Sequence, residues 1–282
     1  MDAFLDIGKR YGIAIVEDAA HAAGAEWDGK KIGSFGDITG FSLQGVNPSG
    51  KPIAGGEGGM VTTNNREYYE RQLIYCHLHR TGIVSELTLP PYRMLDEQVL
   101  GLKFRAHPLA LAVAMVSLET LPYRIQQSDH HREKLFQALR ELPGLKPEES
   151  YPKARRIGLY GGLKIRYYAE ELDHLPIEKF IAAVRAEGVP ISDPGWRYAG
   201  STQQLQHLKP LFAHGFDLWG RNRGPLGNSY ISPKKGDFPQ AEKADHSFFT
   251  FPSFIEPGEG LLDQCIAAFQ KVVENHHLLL GR

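Results

Sequence analysis

The chain has 282 residues, 42% of them hydrophobic and 23% charged, with a formal net charge of −1. This composition suits a globular protein of one large domain or two unequal ones, and it offers no cationic field to gather nucleic acid or anionic lipid. No apolar run reaches the ~18–20 residues of a membrane span, and the N-terminus lacks a signal peptide's basic-then-apolar order. Cys76 and Cys265 lie far apart with no CxxC pair, which suggests neither a disulfide framework nor a zinc site and fits a reducing cytoplasm.

In chain order, Phe4, Ile7 and Tyr11, with Leu5 beside them, recur at helical spacing. A helix is therefore predicted over 2–11, ended by Gly12. The apolar run IAIV (13–16) predicts a short buried strand, with EDAAHA carrying polar groups just beyond it. Helix, strand and polar strand end form the α/β pattern in which ligands sit outside the carboxyl ends of strands. Residues 24–36 read as a polar, glycine-rich connection. ITGFSL (38–43) and GMVTT (59–63) read as the second and third strands, separated by the loop GVNPSGKPIAGGEGG (45–59). A helix is predicted over 66–79, a long loop over 81–105, and a long helical stretch over 107–142 that is interrupted at Pro122. The remainder reads as an α+β unit: a strand in KIRYYAE (164–170), a helix in IEKFIAAVRAEG (177–188), a strand in VPIS (189–192), a turn-rich aromatic stretch over 193–246 and a terminal helix over 261–280. The predicted division is 1–120 and 121–282.

Several residues could carry chemistry. Asp18 ends the first strand, where a carboxylate is partly desolvated; it reads as an N-cap for a helix from Ala19 or as a partner for a protonated heterocyclic nitrogen. His21 falls one turn on and, taken alone, reads as a packed or surface histidine. Ser42 ends the second strand, where a hydroxyl serves a phosphate or a turn. Gly55, Gly56, Gly58 and Gly59 frame Glu57 and permit positive φ, but match neither a Walker loop nor GxGxxG. Lys51 is either a reactive amine or an ordinary loop lysine. Cys76, His77 and His79 do not converge on a metal ion, since helix positions two apart point about 200° from each other. The histidine pairs at 130–131 and 276–277 read as helix surface, and KARR (153–156) as solvated surface. GWRY (195–198) and GRNRG (220–224) are candidate substrate-side loops, because arginine suits diphosphate recognition.

Together, VEDAAHAAGAEWDGKKIGSFGDITGFSLQ, KPIAGGEGGMVTTN, GLKFRAHPLALAVA (101–114) and FFTFPSF (248–254) make the chain resemble the DegT/DnrJ/StrS family of sugar aminotransferases. The resemblance implies the pyridoxal-phosphate-dependent fold of the aspartate-aminotransferase type, with an incomplete large domain followed by a C-terminal small domain. It implies that Asp18 pairs with the pyridinium nitrogen, that His21 contacts the ring near its phenolic oxygen, and that Ser42 holds the cofactor phosphate. Lys51 matches the lysine that bonds the cofactor and transfers the proton. The family's serine-to-lysine spacing points instead to Asn47, whereas counting back from GEGG points to Lys51. The two counts agree if VNPS is an insertion, which Asn-Pro and Ser-Gly turns accommodate at little cost. Where the family often has an asparagine that reaches the neighbouring subunit's phosphate site, this chain has Lys103.

The resemblance thus implies a cytoplasmic, homodimeric aminotransferase that moves an amino group from an amino acid donor to a keto-sugar, usually nucleotide-linked. Family members are longer, and the chain matches them from an internal point of the large domain. The rival expectation is a non-catalytic remnant, or half of a split enzyme, that keeps the family's dimer surface. A dehydratase reading requires histidine at the lysine position and is disfavoured by Lys51.

Overall fold

Helix α1 (Asp2–Tyr11) forms as its apolar spacing predicts, and Gly12 ends it in the left-handed conformation (φ 63°) with its N–H on the Gly8 carbonyl. The structure, a computed structural model, describes residues 1–46, 50–77, 82–95, 101–194, 205–213, 215–217 and 230–281. It divides into two units, residues 1–129 with 150–160 and residues 130–149 with 161–282. The loops GWRY and GRNRG, Asn47 and His79 lie outside the described residues.

In the first unit α1 is followed by β1 (Val16–Asp18), β2 (Glu26–Trp27), β3 (Lys30–Lys31), β4 (Ile38–Ser42) and β5 (Gly59–Thr62). The main sheet has the order β1-β4-β5, parallel between β1 and β4 and antiparallel between β4 and β5. The predicted buried strand IAIV requires correction. The ladder begins only at Val16, which is 68% exposed. Among the described residues β1 pairs on one side only, so its outer edge has no strand partner there.

The predicted connection over 24–36 is also more ordered than expected. Asp28 (φ 52°) and Gly29 (φ 75°) form the two-residue turn of a β2–β3 hairpin, the Asp-Gly signature of a type I′ turn. The predicted helix over 66–79 is α2 (Arg66–Cys76), capped by Asn65, whose side chain accepts from the Glu67 and Tyr68 amides. Where a long loop is expected, α3 (Ile83–Glu86) and α4 (Pro90–Arg93) occur. The cause is Glu70, fully buried on α2. Its carboxylate accepts from Arg66 Nε at 2.6 Å, from the Thr88 hydroxyl and amide at 2.7 and 2.9 Å, and from the Leu89 amide at 3.0 Å.

Helices α5 (Pro108–Glu119) and α6 (Leu121–Arg140) follow. The predicted interruption falls at Thr120, and Pro122 sits in the first turn of α6, where its missing N–H has no intrahelical partner to lose. β6 (Leu145–Pro147) belongs to the second unit, while β7 (Ala154–Arg155) returns to the first and pairs antiparallel with β2. The KARR side chains lie on the surface as expected, but Lys153 pairs with Asp2 and Asp28, and Arg155 with Glu26 and Asp129.

The second unit is built on the antiparallel sheet β6-β8-β9, with β8 at Leu163–Tyr167 and β9 at Phe248–Phe251. Its described helices are the part of α6 from His130 onward, which brings Leu135, Phe136 and Leu139 to the core, with α7 (Ile177–Ala186), α8 (Pro210–Ala213), α9 (Pro239–Asp245) and α10 (Leu261–Glu274). Phe180 of α7, Phe249 and Phe251 of β9 and Phe269 of α10 form an aromatic core with ring centroids 5.9–6.4 Å apart, a separation favourable for ring pairs. The predicted strand VPIS does not form a ladder. Pro190 has no N–H to give one, and Ser192 instead uses its hydroxyl and amide to bracket Thr250 at 2.9 Å each. The predicted terminal helix ends as α10 at Glu274, and a 3₁₀ turn continues over His276–Leu279.

Two buried carboxylates give the fold a pH dependence. Burial alone would raise the pKa of Glu70, but the Thr88, Arg66 and Leu89 donors outweigh it and bring it from 4.5 down to about 2. Glu17 behaves likewise. Burial pushes it up, while the Gly36, Gly33 and Phe35 amides and the Thr39 hydroxyl hold it below its ordinary value. A lowered carboxylate contributes stability above its unfolded pKa and loses that contribution as pH falls through the folded value. Urea midpoints measured against pH are therefore expected to fall between pH 4.5 and about 2, and Glu70→Gln is expected to lower stability at pH 7 and flatten that fall. An unchanged slope in Glu70→Gln would refute this assignment.

Candidate active site

The parallel pair β1–β4 ends at Asp18 and Ser42, so both residues leave the same, carboxyl edge of the sheet. The ladder continues past Asp18 through the Ala19 amide, which donates to the Gly40 carbonyl at 2.9 Å. Strand alternation sends Glu17 inward and leaves Asp18 exposed. The expected desolvation of Asp18 is therefore a correction, since the buried carboxylate is its neighbour. Glu17 accepts from the Gly33, Phe35 and Gly36 amides at 2.9, 2.8 and 2.6 Å and from the Thr39 hydroxyl at 3.3 Å, pinning the hairpin connection to the sheet. Asp18 Oδ1 accepts from the Ala20 amide at 3.1 Å, a local cap for a turn rather than for a helix. Ser42 Oγ accepts from the Gln44 amide at 3.3 Å.

The glycine-rich loop closes on itself. Gly45 and Gly56 exchange both amide hydrogen bonds, at 2.6 and 2.8 Å, and the Gly55 amide reaches the Leu43 carbonyl at 2.7 Å. The Gly50 amide donates to the Val46 carbonyl at 2.6 Å, and the Lys51 amide to the Gln44 carbonyl at 2.9 Å. The Lys51 amide thus bonds directly back to Gln44, two residues beyond Ser42. Glycine is required there: a Cβ on Gly45 would stand 2.6 Å from the Gly50 Cα, and one on Gly55 would stand 2.7 Å from the Ala110 carbonyl oxygen of α5.

Lys51 is 8% exposed, and among the described residues no carboxylate lies within ion-pair distance of its amine. Its Nζ lies 4.0 Å from the centre of the Tyr160 ring, and the His21 imidazole packs 4.4 Å from the same ring at a 60° tilt. The structure therefore brings Lys51 and His21 together through a residue that the sequence did not single out. A second unanticipated group holds the loop from behind. Buried Arg124, on α6, donates from Nη2 to the Pro52 carbonyl at 2.7 Å and to the Ser117 carbonyl and hydroxyl at 2.6 and 3.1 Å. Ser117 Oγ accepts from the Ala54 amide at 2.9 Å. Burial lowers the pKa of Arg124 below its ordinary value.

Lys103 is not brought into contact with these groups. It is exposed, and its backbone bridges to His77 at the end of α2. A cavity of about 380 Å³ lies elsewhere, lined by Val16, Ile38, Tyr68 and Tyr75 among others and by none of the five predicted site residues.

Asp18 and Ser42 thus leave neighbouring strand ends, while Lys51 and His21, from the segments that follow those strands, meet on the Tyr160 ring. The family model described as DegT/DnrJ/EryC1/StrS aminotransferase matches residues 1–192. The chain belongs to that family.

Among its relatives, the L-glutamine:2-deoxy-scyllo-inosose aminotransferase of Streptoalloteichus tenebrarius is 30% identical over 289 residues, covering 98% of this chain and 62% of the relative. The L-glutamine:scyllo-inosose aminotransferase of Streptomyces griseus is 28% identical, with the same coverages. A UDP-4-amino-4,6-dideoxy-N-acetyl-beta-L-altrosamine transaminase of Campylobacter jejuni is 33% identical over 132 residues, 46% of this chain and 31% of that protein. The chain thus spans about 62% of the length of the relatives it matches end to end. Among solved structures, an aminotransferase from Psychrobacter cryohalolentis superposes with a TM-score of 0.70 at 20% identity, covering 98% of this chain and 66% of that one. An aminotransferase of the same family from Brucella abortus gives 0.63 at 21% identity, covering 96% and 60%. The fold is that of the aspartate-aminotransferase type, as the sequence motifs imply.

Proposed function

We propose that this chain is the lysine-bearing part of a pyridoxal-phosphate-dependent aminotransferase that converts the ketone of a keto-sugar or keto-cyclitol into an amine, with an amino acid such as glutamine as donor. The reading rests on the family membership, on the names of the relatives that align over the whole chain, and above all on Lys51. A buried amine with no carboxylate partner among the described residues is costly as a structural element and suits covalent attachment of a carbonyl cofactor.

The residues fit such a group. Lys51 Nζ would bond the cofactor and, when free, would accept and donate the proton that moves at the reacting carbon within each half of the exchange. Asp18, exposed at its strand end, would pair with a protonated ring nitrogen, His21 would flank the ring, and the Ser42 hydroxyl would serve a phosphate oxygen. Bound pyridoxal phosphate supplies an electron-withdrawing ring that stabilises negative charge on the reacting carbon. In a cytoplasmic homodimer, Lys103 serves the phosphate of the neighbouring copy. The bond from the Lys51 amide to the Gln44 carbonyl supports Lys51 over Asn47 as the bonding residue, because it ties Lys51 to the chain two residues beyond Ser42.

The test is to incubate the purified chain with pyridoxal phosphate, reduce with borohydride and map the modified peptide by mass spectrometry. The expected result is one stable adduct on Lys51. Adducts spread over the exposed lysines, or none, would remove the claim that this chain binds the cofactor covalently.

A further inference from the structure

We infer that Tyr160 is a positioning residue for Lys51, a role that rests on the lysine's assignment above. The observation is the juxtaposition of the Lys51 amine and the His21 imidazole on one ring, at 4.0 and 4.4 Å. His21 comes from the turn after β1 and Lys51 from the loop between β4 and β5, and Tyr160 comes from a third segment that returns to the first unit after α6.

That segment is fixed at its base and turned at its tip. Ile157 and Leu159 are buried, and Ile157 packs beside Gly24, where a Cβ would also strike Ile125 at 2.6 Å. Gly158, Gly161 and Gly162 all take positive φ (58°, 81° and 70°), which lets the chain turn sharply on both sides of Tyr160. The result is a half-buried aromatic ring held against the amine by backbone geometry.

The choice of an aromatic ring has a chemical consequence. A carboxylate at this distance would tie the amine into an ion pair that bond formation must first break. A ring face attracts an ammonium group more weakly and leaves the nitrogen's bonding direction uncommitted. Tyr160 thus orients the amine without blocking it, and contact with the same ring fixes His21 relative to Lys51.

The experiment uses the unliganded full chain. Lysines are reductively methylated with ¹³C-formaldehyde, which keeps the charge, and the Lys51 methyl resonance is assigned by its loss in Lys51→Arg. Wild type and Tyr160→Phe are expected to show a ring-current-shifted Lys51 resonance, and Tyr160→Leu is expected to lose the shift. The pH profile of Lys51 methylation, with the exposed Lys103 as internal reference, is expected to match in wild type and Tyr160→Phe. It is expected to differ by about two- to fivefold in Tyr160→Leu, with a similar fall in trapped pyridoxal phosphate. An unshifted resonance in the wild type overturns the inference without any variant having to fold. So does a Tyr160→Leu profile like that of the wild type, a Tyr160→Phe loss as large as that of Tyr160→Leu, or increased cofactor trapping in Tyr160→Leu. If the wild type traps no cofactor on Lys51, the proposed function fails, while the methylation series still decides what Tyr160 does.

Discussion

Replacing Lys51 with alanine is expected to abolish the borohydride-stable attachment of pyridoxal phosphate and to lower amino-group transfer by on the order of 10²–10⁴-fold. Among the described lysines, Lys51 combines burial with a place just beyond the carboxyl edge of the β1–β4 pair. Lys51→Arg is expected to fail almost as completely, since a guanidinium keeps the charge and the ring contact but cannot form the bond. Lys9→Ala is the control: its side chain is exposed in the last turn of α1 and has no part in the proposed site, so the adduct is expected to remain. Peptide mapping after reduction reads all three variants. Retention of one stoichiometric adduct in Lys51→Ala would transfer the bonding role to another lysine and undo the assignment.

The legible parts of this fold are those that local pattern specifies by itself, even where the apolar side chains concerned stay exposed, as Phe4, Tyr11 and Val61 do. Phe4, Ile7 and Tyr11 spell α1, and Gly12 supplies the left-handed residue that stops it. The strands β4 and β5 fall where their apolar runs predict. The failures have physical causes. Val16 reads as core because it is apolar, yet burial depends on a neighbour across the strand edge, and among the described residues β1 has one only on its β4 side. VPIS has strand composition, but Pro190 has no donor and the Ser192 hydroxyl takes over part of the ladder. The β2–β3 hairpin carries its signal in Asp28-Gly29, but its strands are two residues each, too short for alternation to show.

The candidate site divides along the same line. Asp18, His21, Ser42 and Lys51 lie in motif blocks and could be named from the sequence. The burial of Glu17 rather than Asp18 could not, because two adjacent acids at a strand end differ only in which face the pleat gives them. Tyr160 and Arg124 act on Lys51 and Pro52 across more than seventy intervening residues in each case, and no local pattern announces such contacts. The loop offered two rival positions for the lysine. The bond from the Lys51 amide to the Gln44 carbonyl gives a physical reason to prefer the later one.

Replacing Arg124 with methionine is expected to have the largest effect on stability, about 2–4 kcal/mol. Methionine keeps the apolar stem but removes the donors to the Pro52 carbonyl and to the Ser117 carbonyl and hydroxyl, all in a buried setting. Each acceptor then loses a charge-assisted hydrogen bond that water cannot readily replace. Arg124→Lys is expected to lose less, because an ammonium still reaches one or two of these acceptors but cannot span them as a planar fork does. Ser117→Ala leaves the Ala54 amide unpaired and is expected to cost about 1–3 kcal/mol. Since Arg124 and Ser117 bond each other and hold the same loop, their double variant is expected to lose less than the sum of the singles. Urea denaturation measures these differences, with the exposed Arg140→Met as reference. The functional consequence is specific: the clamp grips the chain at Pro52 and Ala54, immediately after Lys51, so Arg124→Met is expected to slow cofactor trapping on Lys51 at urea concentrations where the chain is still folded. A destabilisation no larger than that of Arg140→Met, or an unchanged trapping rate, would show that the loop holds Lys51 without Arg124.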